Sequence, residues 1–234
     1  IVVGRKLVPD ELVRDPDRGR TFRSHLDVLI EDSTEGGCVC RFRVHAPDMD
    51  VEPTARKVGL FLGILWGMAD QRFGRLNSRL RSGPLDVWLY RDGGPVSAQQ
   101  SRRNLYILDA LGDRTGIEWA RTLAHEFGHF ILPGPSGYKE PESWANGVFG
   151  ERLFLSWLRD DVVAGKVETS LLPFVTRSSL EDYCTKQPDA LVNRVMSRGP
   201  DRSLLAESTK MAMDEGTALL LYISRVHGSA ALQE

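Results

Sequence analysis

The segment His125-Glu126-Phe127-Gly128-His129 gathers residue types that can do chemistry together. Histidines at i and i+4 stand one turn apart on the same helix face, so their imidazoles converge on one point. Helix geometry alone sets that spacing, and two convergent imidazoles are the core of a zinc site. Glu126 is rotated off the line of the two rings. From there it reaches a water on such an ion without being a ligand. The chemistry on offer is hydrolysis, with Glu126 as general base toward an activated water.

The elements that must position these groups follow from the flanking sequence. Thr115 with Glu118 has the form of a capping box, which starts a helix. Ala120, Leu123, Ala124, Phe127 and Ile131 form one apolar stripe, and Pro133-Gly134 stops the helix. A catalytic zinc takes three protein ligands and leaves a fourth position to water. The position six residues after His129 is Pro135, which excludes the metzincin pattern, and the remaining downstream histidine is His227. A carboxylate is therefore expected, from among Glu140, Glu142, Glu151 and Glu215. Glu142 is preferred, because it opens a predicted helix over 142–155 and faces the histidine helix from its first turn. Asn146, one turn on, is placed to hydrogen-bond a ligand from outside the coordination shell. Tyr138 and His227 are the candidate donors to a developing oxyanion.

Elsewhere, His25–Ile30 and Cys38–His45 read as strands joined by a turn at Glu35-Gly36-Gly37. Pro53–Phe73 reads as a helix, and Leu85–Tyr90 and Arg103–Leu108 as further strands. After Gly112 the pattern stays helical, apart from loops. Strands first and helices afterwards indicate an α+β fold rather than alternating β-α-β units. The predicted organisation is an irregular charged arm over 1–20 and a single domain over 21–234. That domain has a sheet-containing half, 21–132, and a helical half, 133–234. The sheet is expected to be mostly antiparallel with a backing helix.

With 234 residues, 30 Lys+Arg against 32 Asp+Glu and a net charge of −2, the chain lacks the basic excess of an electrostatic nucleic-acid binder. Its longest apolar run, Val58–Ala69, is too short for a membrane span. Cys38 and Cys40 share a strand face, and a disulfide from one of them to Cys184 is one expectation, free thiols the other. The start at Ile1 without Met reads as a processed or trimmed product. Together with a disulfide, that leans toward an extracellular or periplasmic protein.

The phrase His125-Glu-Phe-Gly-His-Phe-Ile-Leu132, followed by Glu142-x-x-Ala-Asn146, resembles the ImmA/IrrE metallo-endopeptidases within the gluzincin branch of zinc peptidases. The order of elements is also similar to the peptidase MA-like domain. Such chains carry Trp-x-x-Glu-Gly at the third ligand, where this one has Trp144-Ala-Asn-Gly147. A Glu-Gly pair occurs instead at Glu215-Gly216, so Glu142, Glu151 and Glu215 all stay open. The resemblance implies a zincin-like fold and one zinc per chain held by His125, His129 and a glutamate. It also implies a peptide or protein substrate, bound in extended form along the strand around Asn104–Leu108. The alternative is a zinc-holding sensor or interaction module on the same fold, without turnover.

Overall fold

The computed structural model describes residues 12–32, 37–73, 83–91, 93 and 98–232. The chain forms an α+β protein with an N-terminal sheet and a helical C-terminal half. It divides into two compact units, Ile1–Gly67 with Ser78–Thr115, and Met68–Asn77 with Gly116–Glu234.

In the first unit, β1 (Val13–Arg14) pairs with β2 (Thr21–Phe22). The main sheet contains β3 (Ser24–Asp32), β4 (Gly37–Ala46), β5 (Leu85–Leu89), β6 (Ala98–Ser101) and β7 (Asn104–Ile107), in the order β3-β4-β5-β7-β6. The expectation of a mostly antiparallel sheet is corrected. β3/β4 and β6/β7 are antiparallel, but β4/β5 and β5/β7 are parallel. The reason lies in helix α1 (Glu52–Phe73), a crossover between β4 and β5 of the length that a parallel pair requires. One β-α-β unit is thus embedded in a chain read as lacking them. The turn expected at Glu35–Gly37 lies mostly outside the described residues.

α1 sits against one face of the sheet so closely that a Cβ on Gly59 would come within 2.7 Å of Val28 Cγ2. Val28, Val44, Leu62, Leu65, Val87 and Leu105 are fully buried. On a second cluster stand Phe22, Trp88, Tyr90, Tyr106 and Leu108, against which Val13 packs. Within the expected arm, Val13–Arg14 form a strand, and 1–11 lie outside the described residues. Asp15 is buried and accepts hydrogen bonds from the Tyr90 hydroxyl, the Tyr106 hydroxyl at 2.9 Å and the Asp17 N–H at 2.8 Å. These hold the short hairpin in place.

The second unit comprises the last residues of α1 from Met68, then α2 (Gly116–Ile131), α3 (Asn146–Val163), α4 (Arg177–Cys184), α5 (Ala190–Arg198), α6 (Arg202–Leu205) and α7 (Lys210–His227). α2 begins one residue after Thr115 and ends before Pro133, as its stripe and stop signal predict. Among the described residues no helix is long and apolar enough to cross a membrane.

α2 and α3 meet at a pair of glycines. A Cβ on Gly128 would lie 2.8 Å from Gly150 Cα, and one on Gly150 would lie 2.4 Å from Gly128 Cα. Both distances are below van der Waals contact, so this crossing requires glycine on each side. The close approach brings the first turn of α3 against the two histidines of α2.

Cys40 and Cys184 are free thiols, the second of the two expectations; the side chain of Cys38 lies outside the described residues. Each thiol is held locally, Cys40 Sγ donating to Phe42 O at 3.4 Å and Cys184 Sγ to Leu155 O at 3.5 Å. Burial pushes the Cys184 thiol up to about 12, which keeps it an inert packing group.

Candidate metal centre

His125, His129 and Glu142 come together, each offering a donor atom within 4.8 Å of the others. His125 Nε2 and His129 Nε2 face the same carboxylate oxygen, Glu142 Oε2, at 3.0 and 3.2 Å. Ligands at 2.0–2.1 Å on a tetrahedral zinc stand roughly 3.3 Å apart, so these separations suit that ion.

Glu142 does not sit in the first turn of a helix as expected, because α3 begins at Asn146. The preceding segment is engaged elsewhere. Ser136 and Trp144 form an antiparallel bridge, flanked by Gly137 N–H to Ser143 O at 3.2 Å and Ala145 N–H to Pro135 O at 3.1 Å. This pairing takes the backbone of 143–145 out of the helix and presents Glu142 from a loop. The second carboxylate oxygen then accepts the Val148 N–H at 3.3 Å, close to the N-terminus of α3, where a negative charge is favoured. Burial would raise the Glu142 carboxyl, but the two histidines outweigh it and hold the group at about 2.

Asn146 determines how His129 presents itself. Its Nδ2 donates to His129 O and Leu132 O, both at 3.2 Å, which orients the amide. Its Oδ1 must then accept the His129 Nδ1 proton, at 2.7 Å, leaving the lone pair on Nε2. Beyond His125 stands Glu151 of α3. Its Oε1 accepts from Arg121 Nε and the Tyr183 hydroxyl, each at 2.7 Å, and its Oε2 lies 3.7 Å from His125 Nδ1. Burial would lower the His125 imidazole, but Glu142 and Glu151 raise it to about 10.

A third glycine keeps the space beside the two imidazoles clear. A Cβ on Gly147 would lie 2.5 Å from both His125 Nε2 and His129 Nε2. Glu126 is buried at 5% exposure, and its Oε2 has no hydrogen-bond partner among the described residues. Burial raises its pKa from the ordinary value, which makes it a stronger proton acceptor once ionised. Two nitrogens and one oxygen, an orienting amide, a cleared volume and an unsatisfied carboxylate together fit zinc with one position left for water.

The other residues singled out in the sequence are not members of this donor group. Glu151 stands behind His125 rather than among the converging donors. Glu215 is fully buried and bound by Arg194 Nη2 at 2.7 Å, Arg198 Nη2 at 3.3 Å and the Asp201 N–H at 2.7 Å. Glu140 is exposed. Tyr138 packs against the cluster of Ala145, Val148, Phe149 and Met213. His227 ends α7, exposed, with its ring 6.3 Å from that of Tyr222. The strand expected to take up an extended peptide, β7, has both edges occupied, by β5 and β6, so it offers no free edge.

Sequence reasoning missed the helix-crossing and cavity roles of Gly128, Gly150 and Gly147. Gly128 within the histidine motif was the available signal. No known family model matches the chain, and no curated protein matches it either.

Proposed function

We propose that this chain is a zinc-dependent metallo-endopeptidase of the gluzincin type, on a zincin-like fold. The observation that carries the reading is the convergence of His125 Nε2 and His129 Nε2 on one oxygen of Glu142, at 3.0 and 3.2 Å. The resemblance of residues 125–146 to the ImmA/IrrE metallo-endopeptidases supports it.

His125, His129 and Glu142 would hold the metal. Zinc, when bound, supplies Lewis acidity that polarises a peptide carbonyl and brings the pKa of a water toward about 7. Glu126 takes the proton of the attacking water on its carboxylate and delivers it to the leaving amine nitrogen. Its Oε2, without a partner among the described residues, is placed for that transfer. Asn146 keeps the His129 Nε2 lone pair available by holding the proton on Nδ1.

The test is cleavage of a peptide library by zinc-loaded protein, with Glu126→Gln as the control. Cleavage that zinc restores after chelation, and that Glu126→Gln lacks while still holding zinc, is the expected result. Zinc binding without turnover in the wild type moves the assignment to the alternative, a zinc-holding module. Turnover unchanged in Glu126→Gln contradicts the mechanism.

A further inference from the structure

We infer that Glu151 is a positioning residue for His125, held ready to accept the Nδ1 proton of that ring when its Nε2 binds a metal. The inference rests on the zinc reading above and deepens it. Three helices build the arrangement. Arg121 precedes His125 by one turn on α2, so both side chains face the same part of α3. Glu151 comes from α3 and Tyr183 from α4. Arg121 also lies over the Tyr183 ring, 5.6 Å from its centroid.

The carboxylate's two oxygens are used unequally. Both strong donors, Arg121 Nε and the Tyr183 hydroxyl, go to Oε1 at 2.7 Å. Oε2 is left facing His125 Nδ1 at 3.7 Å. A purely structural role for Glu151 would be complete with the two donors on Oε1; the second oxygen has no need to face the imidazole. The two histidines thus have separate partners on α3, a neutral amide at Asn146 and an ionised carboxylate at Glu151. A metal-bound imidazole donates its other N–H to a partner of this kind, which fixes the ring and strengthens the ligating nitrogen.

The experiment uses the full chain, stripped of metal and titrated with zinc against a chromophoric chelator. Cobalt substitution then reports the ligand field by visible absorption. Glu151→Gln keeps the side-chain volume and removes the charge. It is expected to weaken zinc binding about 10- to 100-fold and to shift the cobalt spectrum. Glu151→Ala should weaken zinc at least as much. Tyr183→Phe removes a donor to Oε1 but leaves Oε2 in place, and should change both readouts far less. If Glu151→Ala fails to fold, Glu151→Gln carries the test alone. Tight zinc binding by the wild type, matched by Glu151→Gln in affinity and cobalt spectrum, overturns the inference while leaving the zinc reading intact. No zinc uptake by the wild type overturns both.

Discussion

Glu126 and Glu215 are both buried glutamates on helices of the same unit, with 5% and 0% exposure, and they meet opposite surroundings. Glu215 has both oxygens satisfied, one by the Asp201 N–H and the other by Arg194 and Arg198. Glu126 has an oxygen with no partner among the described residues and two histidines on its own helix. A buried carboxylate surrounded by donors joins helices together. One left short of donors retains the capacity to bind a proton, which is a cost to stability and an asset to proton transfer. The contrast separates a carboxylate used for structure from one suited to chemistry. In the first unit, Asp15 repeats the first pattern, accepting from Tyr90, Tyr106 and backbone N–H groups.

The largest effect is expected where the unsatisfied group is removed. Glu126→Gln should lower kcat about 10²- to 10⁴-fold, the usual share of a general base, with zinc content unchanged. Steady-state cleavage of a fluorogenic peptide alongside metal analysis checks this.

Next comes the cleared volume. Gly147→Ala places a methyl group 2.5 Å from both Nε2 atoms, and Glu142→Ala removes the oxygen they share. Each should weaken zinc by more than the about 10- to 100-fold typical of an outer partner. Gly147→Ala should also lower thermal stability, because its methyl group overlaps both imidazoles, whereas Glu142→Ala adds no such clash. A chelator competition and a melting curve on the same sample separate the two effects.

The saturated carboxylate should behave in reverse. Glu215→Gln is expected to cost about 1–3 kcal/mol of stability, by loss of charge-assisted hydrogen bonds, and to leave zinc affinity unchanged. The figure stays modest because the Arg194 and Arg198 side chains keep 34% and 42% exposure and recover water as partners. Denaturant unfolding measures it. A loss of zinc in this variant would break the distinction drawn above.

The smallest effect concerns Asp15. Burial alone would raise its pKa, but the Tyr90 hydroxyl, neighbouring N–H groups and Tyr106 bring it below the ordinary 3.8. A lowered folded-state pKa means that Asp15 contributes stability above its unfolded value and loses it as pH falls through the folded value. Asp15→Asn should therefore remove roughly 1 kcal/mol at neutral pH and flatten the stability curve below about pH 4. Urea titrations of both proteins between pH 2 and pH 7 check the slope.

Much of this was legible along the chain because it depends on local spacing. Helix α2, its histidine pair and its stop at Pro133 follow from periodicity and capping. Asn146 does come beside His129, but not by the turn of helix from Glu142 that the spacing implies, since α3 begins at Asn146 itself. What escaped depends on contacts between distant segments. β6, Ala98-Gln-Gln-Ser101, carries no apolar alternation and exists because β7 offers it an edge. Glu142 leaves the helix because Ser136 pairs with Trp144. The place of Glu151 depends on Tyr183, and that of Glu215 on Arg194 and Arg198; these partners have no periodic relation to the groups they fix. Gly147 and Gly150 are silent until a second helix is laid against them.

The central claim is that His125, His129 and Glu142 hold zinc. The most direct measurement is elemental analysis of protein purified without added metal or chelator, with Gly147→Ala prepared in parallel. One zinc per chain in the wild type and none in the variant is the predicted result. A wild-type protein that carries no zinc, and takes up none on titration, would contradict the account.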